Sequence, residues 1–87
     1  GAGEIENALL AHPGVAEVAV VGEPDPDLGE CVAAWVVPAT ATPPSLEELS
    51  DLVAAQLAPY KRPRRLHLVE ALPRNDMGKV LKRALGR

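Results

Sequence analysis

Proline and glycine occur so often in this chain that they limit the length of every helix and strand it can form. The sequence has 9 prolines and 7 glycines among 87 residues. Because both residues interrupt regular structure, each apolar segment between them is expected to form one short element. The patterns predict, in order, a helix over 4–11, a strand over 15–21, a strand over 30–37, a helix over 46–57, a strand over 64–69 and a short basic helix after residue 79. The expected fold class is therefore α+β, a small two-layer sandwich of order α-β-β-α-β-α with three helices on a mixed three-stranded sheet.

The second predicted strand is the centre of this arrangement. Segment 30–37 is apolar at nearly every position, which is typical of a central strand covered on both faces, with Trp35 as an anchor. The segment before it, 22–29, is so rich in proline that we expect a loop there. Gly29 at the end of that loop is expected to have a positive backbone dihedral.

Length and composition exclude several classes of function. A chain of 87 residues forms one domain at most, so a single domain over 1–87 is expected. The single cysteine, Cys31, excludes an internal disulfide and a multi-thiolate metal site and fits a reducing cytoplasm, so we expect no metal and a cytoplasmic location. We expect no membrane span, because no apolar segment is long enough. Trp35 and Tyr60 are the only large aromatics, too few for a platform that stacks nucleic-acid bases.

Charge is divided sharply along the chain. All 9 basic residues lie in residues 61–87, where the formal charge is +7, whereas residues 1–60 have a charge of −10. Such polarity predicts a basic surface that meets phosphates or carboxylates, unless the acidic part folds back and neutralises it.

The basic part contains a turn-rich loop that ends in a lysine. Segment 72–78 combines proline, asparagine, aspartate and glycine, and these residues predict a loop that presents the next residue, Lys79. A lysine at the start of a helical pattern is unfavourably placed relative to the helix dipole, so an anion is its natural partner. The alternative is a solvated surface lysine on a frayed helix.

Taken together, the segments "GEIE…HPGVAEVAVVGEPDPDLGE…APYKRPRRLHLVEALPRNDMGK" resemble the C-terminal domain of the adenylate-forming superfamily, which includes acyl-CoA synthetases, peptide-synthetase adenylation domains and luciferases. The resemblance implies a mobile lid domain of an ATP-dependent acyl-CoA synthetase. A large N-terminal domain that binds ATP and the acid would be its partner and is absent from this chain. The isolated lid is expected to be inactive and to hold no cofactor of its own, and ATP with Mg²⁺, a carboxylic acid and coenzyme A are expected as substrates of the full enzyme.

The resemblance also assigns roles to particular residues. Lys79 matches the catalytic lysine of adenylation, where a fixed ammonium group offsets repulsion between the carboxylate and the α-phosphate. Pro73, Arg74 and Gly78 belong to the loop that supports this lysine.

A second group of residues is expected on the coenzyme A side. The opening segment matches the part of the family lid that helps to form the passage for the thiol; it consists of Gly1, Ala2, Gly3 and Glu4. Three arginines are candidates for the phosphates of coenzyme A, because guanidinium groups fit phosphate geometry, although a solvated strand edge explains them equally well; they are Arg62, Arg64 and Arg65. The opening "GAGEIE" resembles the malonyl-CoA or methylmalonyl-CoA synthetase branch.

Two other classes of function compete with this interpretation. The segment "HPGVAEVAVV" is similar to the helix-to-strand junction of ferredoxin-like ligand-binding modules, so a free-standing module of that kind is the main alternative. A basic RNA-binding domain is a further alternative, but the exposed aromatics or the glycine-rich clamp it needs are missing.

The sequence leaves open the acid substrate, the oligomeric state, the hinge position, the choice between CoA and a carrier-protein thiol, and acetylation of Lys79.

Overall fold

A computed structural model describes residues 1–86 of the chain. Its elements are helix α1 (Ala2–Leu10), strand β1 (Val15–Asp25), strand β2 (Gly29–Pro38), helix α2 (Leu46–Gln56), a 3₁₀ turn (Pro59–Lys61), strand β3 (Arg65–Leu68) and a second 3₁₀ turn (Lys82–Ala84). The three strands form one sheet in the order β1-β2-β3, with β1 and β2 antiparallel and β2 and β3 parallel. The mixed three-stranded sheet and the central position of β2 confirm the prediction.

The predicted third helix is absent from the described residues, so the domain has two α-helices and not three. Val80 pairs with Arg74 in an isolated antiparallel bridge, and this keeps its backbone extended. Gly86, with a φ of 81°, interrupts the segment a few residues later. Too few residues remain between these two points to nucleate an α-helix, and they form a single 3₁₀ turn instead.

The predicted loop over 22–29 is wrong for most of its length. Strand β1 continues to Asp25, and β2 begins at Gly29, so the segment is the end of a β-hairpin. Pro24 is tolerated because β1 is an edge strand, where half of the backbone amides have no partner in the sheet. The Asp25 side chain accepts hydrogen bonds from the amides of residues 27 and 28 and closes the turn. Gly29 has a φ of 77°, as expected.

Both helices pack on one face of the sheet and form the core there. The buried side chains of this cluster are Ile5, Ala8, Leu9, Val15, Val20, Ala34, Val36, Leu49 and Val53. Ser45 begins α2 as a helix cap, because its hydroxyl accepts the backbone N–H of Glu48 at 3.1 Å.

The opposite face of the sheet has its own cluster around Trp35. The Trp35 ring stacks on His67, with 4.1 Å between the ring centroids. A Cβ atom added to Gly86 would lie 3.6 Å from the Trp35 ring, so the C-terminal segment passes over this face. Residue 35 thus anchors the side of the sheet that the helices leave open. Neither helix of residues 1–86 is long and apolar enough to cross a lipid bilayer.

Candidate functional site

The loop that carries Lys79 is a narrow hairpin. Its two sides are joined by the bridge between Arg74 and Val80 and by a 2.8 Å hydrogen bond from the backbone N–H of Leu81 to the carbonyl of Pro73. Lys79 lies on the second side, next to the turn. The loop is therefore a defined structure in spite of its exposure, and Pro73 and Arg74 form its base.

Asn75 organises the turn of this hairpin. Its side-chain oxygen accepts the backbone N–H groups of Met77 at 3.0 Å and of Lys79 at 2.9 Å. Its own backbone N–H donates to the Lys79 carbonyl at 2.9 Å, and its carbonyl accepts the Gly78 N–H. Gly78 has a φ of 85°, a conformation that favours glycine, which explains its place before the lysine. Asn75 was expected only as a residue of the turn-rich loop and not as a support for the lysine, although asparagine at such a position is typical of an Asx turn.

Arg74 connects the hairpin to the sheet. One of its terminal nitrogens, Nη1, donates to the Gly78 carbonyl at 2.6 Å. The other, Nη2, donates to the Glu17 carboxylate on β1, also at 2.6 Å. The guanidinium group therefore contacts both the edge strand and the residue that precedes Lys79.

The Lys79 side chain is exposed and makes no ion pair with any of residues 1–86. Its ammonium group is thus available to an anion outside the domain. The prediction that Lys79 lies at the N-terminus of a helix is wrong. Lys79 precedes an extended residue, and the 3₁₀ turn that follows has only three residues. The loop, and not a helix, presents the lysine.

The opening segment lies in the first turn of α1. A Cβ added to Gly1 or Gly3 would have nothing within 4 Å, so this turn faces open space. Ala2 packs partly against the core. Glu4 pairs with Lys61 on the first 3₁₀ turn at 2.9 Å, and this contact lowers the pKa of the Glu4 carboxyl and raises that of the Lys61 ammonium group.

A groove of about 450 Å³ is lined by the start of α1, the first 3₁₀ turn and parts of β1 and β2. Its lining includes Ala2 and Ile5 of α1, Val20 and Val32 of the sheet, and Lys61 of the turn. The structure thus brings the opening segment beside the turn that precedes the arginines, next to a mostly apolar depression.

The three candidate arginines do not form one site. Arg64 is exposed and makes no ion pair within the described chain, whereas Arg62 is half-buried and donates to the Pro59 carbonyl at 2.6 Å. Arg65 pairs with Glu23 at 3.2 Å and with Asp25 at 3.3 Å. Since Arg65 is held in this network on the face of the sheet opposite to the helices, it is the least available of the three for a phosphate.

Glu23 is the centre of that network. Its carboxylate accepts hydrogen bonds from Trp35 Nε1 at 3.1 Å and from Arg65 Nη1 at 3.2 Å, and it lies 3.0 Å from His67 Nε2. Partial burial raises the pKa of the Glu23 carboxyl, but the three hydrogen bonds outweigh burial, and the pKa lies below its ordinary value. The cluster joins β1, β2 and β3. No group of three or more His, Cys, Asp or Glu side chains in residues 1–86 is placed to hold a metal ion.

Comparisons with known proteins agree with the fold and the order of motifs. The family of AMP-binding enzyme C-terminal domains matches residues 4–79. The fatty acid–[acyl-carrier-protein] ligase ScoC of Streptomyces coeruleorubidus is 49% identical over 82 residues, covering 94% of this chain and 16% of that protein. A malonate–CoA ligase of Arabidopsis thaliana is 46% identical over 92 residues, covering 94% of this chain and 15% of that protein.

Solved structures give the same result. A malonyl-CoA ligase in a ternary product complex with methylmalonyl-CoA and AMP has a TM-score of 0.80 at 65% identity, over 85% of this chain and 16% of that chain. Apo MatB from Rhodopseudomonas palustris has a TM-score of 0.88 at 42% identity, over 97% of this chain and 17% of that chain. This chain therefore spans about a sixth of the length of such relatives.

These matches confirm the resemblance noted in the sequence, and they favour a ligase domain over a free-standing ferredoxin-like module. The ScoC, malonate–CoA and malonyl-CoA ligases named above are acid-thiol ligases. The chain belongs to the family of AMP-binding enzyme C-terminal domains.

Proposed function

We propose that this chain is the mobile C-terminal domain of an ATP-dependent acyl-CoA ligase and that Lys79 is the residue it brings to the adenylation step. Its partner is a large N-terminal domain of the same protein, which binds ATP with Mg²⁺ and the carboxylic acid. On its own the domain is inactive, because it supplies one part of a site whose nucleotide and acid pockets lie in the rest of the enzyme.

The observation that carries this proposal is the state of Lys79. Its side chain is exposed and makes no ion pair within residues 1–86, yet its backbone is fixed by hydrogen bonds to Asn75. This framework fixes the point at which the Lys79 side chain leaves the backbone. Charge that is preorganised in this way stabilises a transition state without reorganisation during the reaction.

The chemistry explains why a cation is needed. An oxygen of the carboxylate attacks the α-phosphorus of ATP, the bond to the bridging oxygen of the β-phosphate breaks, and pyrophosphate leaves. Two anionic groups approach each other in this step, and the Lys79 ammonium group offsets their repulsion. In the second step the thiol gives its proton to solvent, its sulfur attacks the acyl carbon, and AMP leaves with the electron pair of the acyl–oxygen bond.

The coenzyme A side of the proposal rests on the opening segment. Gly1 and Gly3 face open space, and small residues there allow a pantetheine arm to approach the backbone closely. The groove beside α1 and the exposed Arg64 lie on neighbouring parts of the chain and support a path for the thiol and a contact for a phosphate. Arg65 contributes less, because it is held by Glu23 and Asp25.

The acid is proposed to be malonate or methylmalonate. This finer assignment is supported by the identity of 65% to a malonyl-CoA ligase over 85% of the chain and by the "GAGEIE" opening. A carrier-protein thiol is the second candidate acceptor, since the ScoC ligase is 49% identical. A full-length enzyme supplied with either CoA or an acyl-carrier protein distinguishes the two.

The proposal is tested with Lys79→Ala in the full-length enzyme. We expect loss of acyl-adenylate formation, measured as pyrophosphate exchange, with thioester formation from a supplied acyl-adenylate largely intact. Arg83→Ala is the matched control, because it removes another exposed positive charge of the same segment and should change neither rate. Equal loss of both half-reactions in Lys79→Ala would contradict the assigned role.

A further inference from the structure

Two ion pairs join the hairpin that carries Lys79, and the segment that follows it, to the rest of the domain among residues 1–86. The first joins Arg74 to Glu17, and the second joins Lys82 to Glu6 on α1 at 3.0 Å. The two contacts lie on different sides of Lys79. Only the Arg74 contact also includes a hydrogen bond to the residue next to Lys79.

The Arg74 contact reaches the turn itself. The same guanidinium group donates to the Glu17 carboxylate and to the Gly78 carbonyl, with both distances at 2.6 Å. Arg74 therefore links β1 to the peptide group between Gly78 and Lys79 through a single guanidinium group. The Lys82 contact, in contrast, fixes only the segment that leaves the hairpin.

Glu17 is well placed to act as a fixed point. It lies on β1, where it pairs with Val37 of the central strand, immediately after an irregularity in the register between Val15 and Glu17. Such bulges bend a strand and redirect its side chains. The Glu17 side chain is 41% exposed, so the ion pair is near solvent and contributes little to folding stability.

We infer that Glu17 is a positioning residue for Lys79, acting through Arg74 and the Gly78 carbonyl. This inference rests on the proposed function of Lys79 and adds a residue on β1 that is distant from it in sequence. Glu17 contacts no substrate. It orients the guanidinium group so that Arg74 holds the turn, and the turn holds the lysine at the angle needed for the α-phosphate.

The test uses Glu17→Ala and Glu17→Gln in the full-length enzyme. Glu17→Ala should lower the rate constant of adenylation about tenfold, because small displacements of a catalytic group have large effects on rate. Glu17→Gln keeps an oxygen acceptor for Arg74 and should lose only a few-fold. We expect no change in the rate of thioester formation from a supplied acyl-adenylate or in the midpoint of urea unfolding. A purely structural defect would change both.

The matched control is Glu6→Gln. It removes the charge opposite Lys82, while the amide oxygen can still accept the Val20 N–H that Glu6 accepts at 2.8 Å. We expect wild-type adenylation, because this contact does not reach the turn. Adenylation slowed equally by Glu6→Gln and Glu17→Gln would overturn the inference, since a general effect of charge would then explain both.

A double-mutant cycle with Arg74→Ala tests the proposed path. Once Arg74 is absent, Glu17→Ala should cause no further loss of adenylation. Unchanged adenylation in Glu17→Ala, or a loss that simply adds to that of Arg74→Ala, overturns the role of Glu17. If Lys79→Ala itself keeps full adenylation, the proposed function and this inference both fail; if Lys79→Ala is inactive and Glu17→Ala is fully active, only the inference fails.

Discussion

The side-chain oxygen of Asn75 lies 2.9 Å from the backbone nitrogen of Lys79. The same oxygen accepts the Met77 N–H at 3.0 Å, so one side chain satisfies two amides of the turn. Asn75 thereby defines the backbone conformation of the lysine, although its own side chain carries no charge.

The first prediction is that Asn75→Ala slows adenylation in the full-length enzyme by about tenfold, because two hydrogen bonds that order the turn are lost. Pyrophosphate exchange measures this rate. Asn75→Ser should recover part of the loss, since a serine hydroxyl can accept an amide in a similar turn. Asp76→Ala is the control, because Asp76 is exposed in the same turn and its side chain makes no hydrogen bond to residues 1–86. Equal rates for Asn75→Ala and wild type would contradict the role of Asn75.

Local sequence patterns correctly predicted α1, α2 and the central strand, because these elements are specified by residues close together in the chain. The apolar spacing of Ile5, Ala8 and Leu9 gives the buried face of α1, and the continuous apolar segment of β2 gives its central position. Gly29 follows the same logic, since a tight turn needs a residue with a positive φ.

The failed predictions depend on contacts between distant segments. Pro24 predicts a loop when only its neighbours in the chain are considered. An edge strand tolerates proline, however, and β1 is an edge strand only because of the order of strands in the sheet. The helical pattern after Lys79 fails because Val80 pairs with Arg74. The ion pair between Arg74 and Glu17 joins residues 57 positions apart, and no local pattern marks it.

The second prediction concerns acid stability and the Glu23 carboxyl. Its pKa is lower in the folded domain than in the unfolded chain, where the ordinary value is about 4.5. A depressed pKa contributes stability that is fully present above the unfolded value and is lost as pH falls through the folded value. Unfolding by urea should therefore become easier below about pH 4.5, and the Glu23→Gln variant should lose less stability over this range than the wild type.

Trp35 provides the signal for that experiment. It is the single tryptophan of these 87 residues, and it donates to Glu23 while stacking on His67, so its fluorescence in the isolated domain reports the cluster directly. Asp27→Asn is the control, because Asp27 is an exposed carboxyl of the hairpin turn outside the cluster. An identical acid dependence in Glu23→Gln and wild type would show that this carboxyl does not control acid stability.

The third prediction separates stability from function at Gly3. This residue is exposed in the first turn of α1, and an added Cβ would meet nothing within 4 Å. Gly3→Ala should therefore stabilise the domain slightly, by about 0.5 kcal/mol, because alanine loses less backbone entropy in a helix. In the full-length enzyme the same change should slow the thioester-forming step about tenfold, because the added methyl group would obstruct the proposed approach of a pantetheine arm to the backbone. Adenylation should stay unchanged.

Asn7→Ala is the matched control for Gly3→Ala. Asn7 is exposed on the same helix and lies outside the opening segment, so its replacement also favours the helix and should leave both half-reactions intact. Thioester formation is measured by mixing the enzyme with a supplied acyl-adenylate and coenzyme A, and stability is measured by urea unfolding. A stabilised Gly3→Ala enzyme that forms the thioester at the wild-type rate would mean that the thiol reaches the adenylate by another path, and the assignment of the opening segment to the coenzyme A side would then be wrong.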